Sequence, residues 1–187
     1  MDILNIFTAF GLSSSAGLNA YIPLLITGLM ARYTSLITLQ EPFTALENEW
    51  VLGTIAVFLL IESLVDKIPA LDSVNDLIHT LIRPAAGALL FAAGSGAVGQ
   101  MDSAFALILG LLSAGGVHAT KTAIRPVVTA STAGIGNPVV SVIEDIIAFV
   151  ATLLAIVVPV LMAFISAILF FFIARWWWRR RGRERPV

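Results

Sequence analysis

The sequence predicts an all-α fold: a polytopic membrane helical bundle of five to six membrane-spanning or re-entrant helices. Three observations carry this expectation. Of 187 residues, 58% are hydrophobic and only 12% are charged, whereas an ordinary soluble domain carries about 25% charged residues. So few charges cannot cover a water-facing surface. The mean hydropathy is +0.95. The apolar residues also gather into long runs, and a helix of roughly 20 residues crosses a hydrocarbon layer of about 30 Å. A net charge of -1 with this hydrophobicity excludes a disordered chain. There is no cysteine, which removes disulfides, thiolate metal sites and cysteine nucleophiles.

Met1-Asp2 lacks the basic start of a cleaved signal peptide. The first apolar run, 3–31, is interrupted by Ser13, Ser14 and Ser15 and carries Asn19 and Pro23. The second is 50–65. Between 70 and 82, Asp72, Asn75, Asp76 and His79 recur at helical spacing, with Leu71, Val74, Ile78 and Leu81 opposite. That pattern predicts a short amphipathic helix at the interface. Arg83-Pro84 then opens a third span, 84–98, with Pro in its first turn. The fourth is 104–123. The polar, Gly-rich stretch 129–138 reads as irregular backbone lining a cavity. Glu144 and Asp145 then open the last helix, at the positive end of its dipole. The run 146–174 reads as one tilted helix kinked at Pro159, with two short passes as the alternative.

Residues 1–175 form the multipass domain and 176–187 a basic tail. Arg175, Arg179, Arg180, Arg181, Arg183 and Arg185 follow the last apolar run, with Trp176, Trp177 and Trp178 at the junction. This is the pattern of a cytoplasmic anchor with an aromatic belt. It suits anionic lipid headgroups, and no nucleic-acid partner is expected. The loop 33–49 is the opposite case, with Glu41, Glu47 and Glu49. With the tail inside, five passes put Lys67, Arg83, Lys121 and Arg125 outside, and six put them inside. The other resolution is that these four are drawn into the protein interior.

An internal echo links Gly11-Leu-Ser-Ser-Ser-Ala-Gly-Leu-Asn-Ala20 to Gly110-Leu-Leu-Ser-Ala-Gly-Gly-Val-His-Ala119. Asn19 falls opposite His118. Three intervening passes would make it an inverted repeat, with a site at the repeat interface. Independent small-residue packing explains it equally well. A second echo, Thr80-Leu-Ile-Arg-Pro84 and Thr122-Ala-Ile-Arg-Pro126, has a different offset.

Ionisable groups within apolar spans usually face an interior, a cavity or a partner. Glu62 and Asp66 share a helix face, and His118, Lys121 and Arg125 form a basic stripe beside the small residues Gly115, Ala119 and Ala123. The candidate substrate contacts are Asn19, His118, Lys121, Arg125 and Arg83. Glu62, Asp66, Glu144 and Asp145 would pair with those bases or carry a coupling proton or ion. Asp72, Asp76 and His79 could hold a divalent metal, the one cofactor the sequence suggests. The alternative is that all of these are interfacial charges and internal ion pairs. No HExxH, Walker or GxSxG signature is present, and the motifs of lipid phosphatases and lipid alcohol-phosphotransferases are incomplete. No catalytic residue is named.

Gly17-Leu-Asn-Ala-Tyr-Ile-Pro-Leu-Leu25, Asp66-Lys-Ile-Pro-Ala-Leu-Asp72, Ile82-Arg-Pro84 and Ser131-Thr-Ala-Gly-Ile-Gly-Asn-Pro138 resemble a bacterial integral-membrane family, domain-of-unknown-function family 4126. The resemblance covers nearly the whole chain apart from the Arg-rich tail. It implies a small multipass protein and supplies no activity. The leading expectation is a small transporter or channel-like protein for an anionic solute, in the bacterial cytoplasmic (inner) membrane, with a homodimer completing its pathway. A metal-dependent enzyme acting on a lipid or polyprenyl phosphate and a non-catalytic assembly subunit are the alternatives.

Overall fold

In a computed structural model of the chain, the backbone is described for residues 3–66, 69–94 and 101–181, without the side chains of 3–4, 69–76, 159–164 and 180–181. Lys67, Arg183 and Arg185, and the side chains of Asp72, Asn75, Asp76, Arg180 and Arg181, lie outside this description. The described residues are almost all helical. The order is α1 (Ile3–Leu18), α2 (Tyr21–Tyr33), a 3-10 turn (Phe43–Glu47), α3 (Glu49–Val65), α4 (Pro69–Gly94), α5 (Ser103–Thr132), α6 (Asn137–Val157) and α7 (Pro159–Arg181). Among the described residues, three helical stretches are long and apolar enough to cross a membrane: Leu77–Gly94, Ser103–Thr132 and Asn137–Val157.

Polarity is inverted relative to a soluble protein. Val57, Leu60, Ile61 and Leu64 on α3, Ile108, Leu111 and Leu112 on α5, and Ile146, Ile147 and Phe149 on α6 all face outward. Glu62, Asp66, His79, Arg83, His118, Lys121 and Arg125 face inward and are buried. Water would not tolerate such a broad apolar exterior, whereas lipid requires it.

The first apolar run is two helices, and their contacts show a hairpin. Along α1, Ala9 meets Gly94 and Ser13 meets Gly87, so α1 is antiparallel to α4. Along α2, the Tyr21 ring stacks on Phe58 and stands edge-on to His79, while Gly28 lies against Leu46 and Leu52. Thus α2 is antiparallel to α3. Glu62 of α3 in turn reaches His79 and Arg83 near the start of the apolar part of α4, so α3 is antiparallel to α4. It follows that α2 runs back toward the side from which α1 came, with residues 18–21 at the tip. Asn19 explains the break. Its Oδ1 accepts from the backbone N–H of Tyr21 and Ile22, at 3.0 and 3.1 Å, giving α2 the cap that its free N–H groups need. Pro23 sits in the first turn, where its missing N–H costs nothing.

Four other sequence expectations are corrected. The amphipathic 70–82 segment and the third span form one helix, α4, with Pro84 in its interior. Pro84 cannot donate to the carbonyl four residues back, yet packing holds the helix through that point. Likewise α5 continues through Pro126 to Thr132, so most of the expected irregular stretch is absent. Only a turn at 133–136 remains. There Ala133 and Gly134 take positive φ and the Gly134 N–H bonds the Thr129 carbonyl, 3.1 Å, a Schellman-type closure. Because α6 begins at Asn137, Glu144 and Asp145 lie two turns inside it rather than at its dipole end. Finally, the single kinked helix over 146–174 is two helices, α6 and α7, divided at Val158. Val158 leaves helical geometry at φ -135°, ψ 67°, consistent with the bias against α conformation before a proline.

The echo segments touch each other. Ser14 Oγ lies 2.9 Å from Ser113 Oγ, Ser13 Oγ donates to the Gly110 carbonyl at 2.8 Å, and Lys121 Nζ donates to the Leu18 carbonyl at 3.2 Å. Contacts climb both helices together, so α1 and α5 run parallel. An inverted repeat needs these copies to oppose each other, and they do not. What the echo encodes is close packing. A Cβ at Gly110 would overlap the Gly87 carbonyl and the Ala88 backbone, whereas one at Gly116 meets open space. The predicted ladder of Gly115, Ala119 and Ala123 is not this contact, since Ala119 and Ala123 are exposed. We expect Gly110→Ala to destabilise the fold by about 1–3 kcal/mol. Gly116→Ala should be neutral or stabilising by up to about 1 kcal/mol. Unfolding in detergent checks the pair, and equal effects would refute the close approach.

Candidate ionic site

The hairpin tip lies among the ionisable side chains. Helical spacing puts His118, Lys121 and Arg125 on one inward stripe of α5 and Asn137, Ser141, Ala148 and Thr152 on one stripe of α6. Glu144 and Asp145 lie between Ser141 and Ala148 and reach the same interior. Partners then reach α5 from α1, α4 and α6, and α3 joins them through Arg83 of α4.

One cluster centres on Glu62 and Arg83. The guanidinium, 0% exposed, gives Nη2 to Glu62 Oε1 at 3.0 Å. Its Nη1 lies 3.1 Å from His118 Nδ1. The other ring nitrogen of His118 is 3.2 Å from Thr80 Oγ1. His79 Nε2 approaches the same Glu62 oxygen at 3.2 Å. Glu62 Oε2 is buried with no hydrogen-bond partner among the described residues. Such pairs stabilise little over an apolar substitute, but breaking one exposes a buried charge.

The second cluster lies one turn further along α5. A single oxygen, Glu144 Oε2, is 2.9 Å from both Lys121 Nζ and Arg125 Nη2. Lys121 also holds the last carbonyl of α1, Leu18, a helix-terminal group that otherwise lacks a donor. Beside it, Asn19 Nδ2 donates to Asp145 Oδ1 at 2.9 Å. Ser141 Oγ donates to Asp66 Oδ2 at 3.1 Å. Thr129 Oγ1 and Asn137 close the layer toward the α5–α6 turn, at 3.0 Å.

Every residue expected as a substrate contact or coupling group therefore lies in one buried layer: Asn19, Glu62, Asp66, Arg83, His118, Lys121, Arg125, Glu144 and Asp145. Glu62 pairs with Arg83, and Glu144 with Lys121 and Arg125, which both the solute-site expectation and its alternative of internal ion pairs call for. Burial of Arg83, Lys121 and Arg125 also answers the conflict over loop charges, because the positive-inside rule counts only loop residues. His79, expected as a metal ligand, faces Glu62. The side chains of Asp72 and Asp76 lie outside the described residues, and among the described residues no three His, Asp or Glu converge as a metal site. Sequence reasoning missed Thr80, Ser141 and the Leu18 carbonyl. Thr80 could have been found in the shorter echo, because each Thr-x-Ile-Arg-Pro copy supplies an arginine that takes a glutamate from a neighbouring helix.

This arrangement defines a class: a helical membrane protein with an ionic layer buried in an otherwise apolar bundle, at the tip of a helical hairpin. The chain belongs to the family described as Domain of unknown function (DUF4126), which it matches over residues 6–179. No curated protein and no solved structure matches it.

Proposed function

We propose that the protein is a small transporter or channel-like protein whose solute path passes through the ionic layer. The observation that carries this reading is the meeting of the α1–α2 break with both ion-pair clusters. Interrupted helices whose ends point at charges deep in a membrane protein are the common construction of solute sites. Charges kept there at high cost are functional by default. The bases do not wait empty: Lys121 and Arg125 are held by Glu144. An anionic group on the solute would take the place of Glu144 on these two cations, with Asn19 and Arg83 beside it. Release of Glu144, Asp145 or Glu62 would then open the path or bind a coupling ion.

The same reading places the chain in the bacterial cytoplasmic membrane, with the basic end of α7 in the cytoplasm against anionic headgroups. Counting α1–α2 as a re-entrant hairpin removes the first pass, so the α3–α4 and α5–α6 turns then share the cytoplasmic side with the basic tail if α7 crosses once. The acidic loop after α2 then lies outside.

Purified protein in liposomes should move chloride, phosphate or succinate down a gradient. Lys121→Ala and Arg125→Ala should each lower that flux at least about tenfold, the loss of one charged contact of about 1.4 kcal/mol or more. Melting temperature and gel filtration check that each variant folds. No flux of any of these anions, or full flux in both folded variants, refutes the reading.

A further inference from the structure

We infer that the basic end of α7 carries a site for one anionic phospholipid, with Arg175 and Arg179 on the headgroup phosphate, Trp178 beside the glycerol, and Phe171 and Ala174 along an acyl chain. This rests on the reading of α7 as a span with its basic end in the cytoplasm, and is independent of solute transport. Positions 171, 174, 175, 178 and 179 follow the three-and-four spacing of one helix face. Together these five side chains line an open groove of about 350 Å³. The groove is graded along the helix. At 1.5 Å rise per residue, Arg175 and Arg179 stand about 6 Å apart along the axis, and Phe171 lies about 6 Å deeper than Arg175. The polar end is thus basic and the deep end apolar, in the order phosphate, glycerol and acyl chain.

The arginines of this groove differ from the others. Arg32, Arg83 and Arg125 each hold a glutamate, whereas Arg175 and Arg179 have no ion-pair partner among the described residues. No acidic residue stands between Asp145 and Glu184 to supply one from the same stretch of chain. Two guanidinium groups one turn apart suit a phosphate, whose oxygens accept paired, charge-assisted hydrogen bonds. An indole at that depth has an apolar body for the chain and an N–H for the ester region. The protein leaves the face open: from Ile165 to Arg179 every side chain is exposed or half-buried. An acidic peptide or a nucleic acid would use the arginines and leave Phe171 and Ala174 without a partner. A lipid uses all five.

Native mass spectrometry of the purified protein in detergent reads the site. The probe is phosphatidylglycerol, with zwitterionic phosphatidylcholine as reference and glycerol 3-phosphate as a headgroup without chains. One phosphatidylglycerol should bind at least about tenfold more tightly than phosphatidylcholine. Arg175→Ala and Arg179→Ala should each lower that affinity about fivefold, the share of one arginine at a membrane surface. Arg180→Ala removes the same charge one position along the helix and should cost less than about twofold if the groove, not the net charge, binds. Phe171→Ser should weaken lipid binding too, and glycerol 3-phosphate should not displace the lipid. These variants alter an exposed face, and melting temperature checks that each folds. Equal losses in Arg179→Ala and Arg180→Ala, equal binding of the two lipids, or displacement by glycerol 3-phosphate overturns the site. So does a lipid-free dimer that dissociates in Phe171→Ser, which would give the groove to a second copy of the chain. Lipid selectivity without anion flux overturns transport and leaves this site standing. Flux without lipid selectivity does the reverse.

Discussion

Arg83→Met should destabilise the folded protein by about 3–5 kcal/mol, the cost of removing one member of a buried ion pair. No water reaches the guanidinium, which is 0% exposed, and it binds Glu62 and His118 at once. Met fills much of the same volume, so the loss comes from charge and hydrogen bonding rather than a cavity. Glu62 is left buried with its counter-ion gone, and His118 loses the donor that fixes its tautomer. Adding Glu62→Gln should return a large part of the loss, because a neutral amide no longer needs a cation. A double-mutant cycle measured by unfolding in detergent gives the coupling, expected at about 1.5–3 kcal/mol for contacting groups. Arg83→Lys should not rescue, because an ammonium cannot span two partners as the planar fork does. A loss below about 1 kcal/mol in Arg83→Met would mean that the pair is open to solvent.

Glu144→Gln should lose stability on a similar scale, about 3–5 kcal/mol. One carboxylate oxygen serves both Lys121 and Arg125, so neutralising that carboxylate leaves two like charges without a counter-ion inside the bundle. The stability should be recovered in part by small anions. Succinate or phosphate should raise the melting temperature of Glu144→Gln more than that of the unaltered protein, since binding to the folded state alone stabilises by mass action. Lys121→Met added to Glu144→Gln should abolish the anion effect and recover stability without it. Equal anion effects in both proteins would remove the idea that a solute replaces Glu144.

Much of the site was legible because helical period sets which side chains share a face. Glu62 with Asp66, and His118 with Lys121 and Arg125, could be read as stripes from spacing alone. The apolar runs could be read because lipid demands them. Proline shows where such reading stops. Pro23 opens α2 and Pro159 opens α7, whereas Pro84 and Pro126 sit inside continuous helices. The residue is the same, and neighbouring helices decide whether the chain turns or carries on through the missing hydrogen bond. The hairpin was hidden for a related reason. A lone Asn between two apolar stretches is a weak local signal, and only Asp145 and Lys121 from other helices fix it as a tip. Spacing along α4 groups His79 with Asp72 and Asp76, whose side chains lie outside the described residues, and does not show that His79 also faces Glu62 on α3.

The sequence by itself determined that this is an α-helical membrane protein of family DUF4126, and that its few charges are gathered rather than spread. Those properties are local: they follow from composition, from helical period and from recurring short motifs. Only the tertiary structure decided that α1 and α2 form a hairpin, that the echo segments run parallel, and which acid meets which base. Spacing along a helix sets the face on which a charge stands, but not the helix that will stand opposite. In a bundle with lipid outside, that second choice is made by which buried charges can neutralise one another when the helices close.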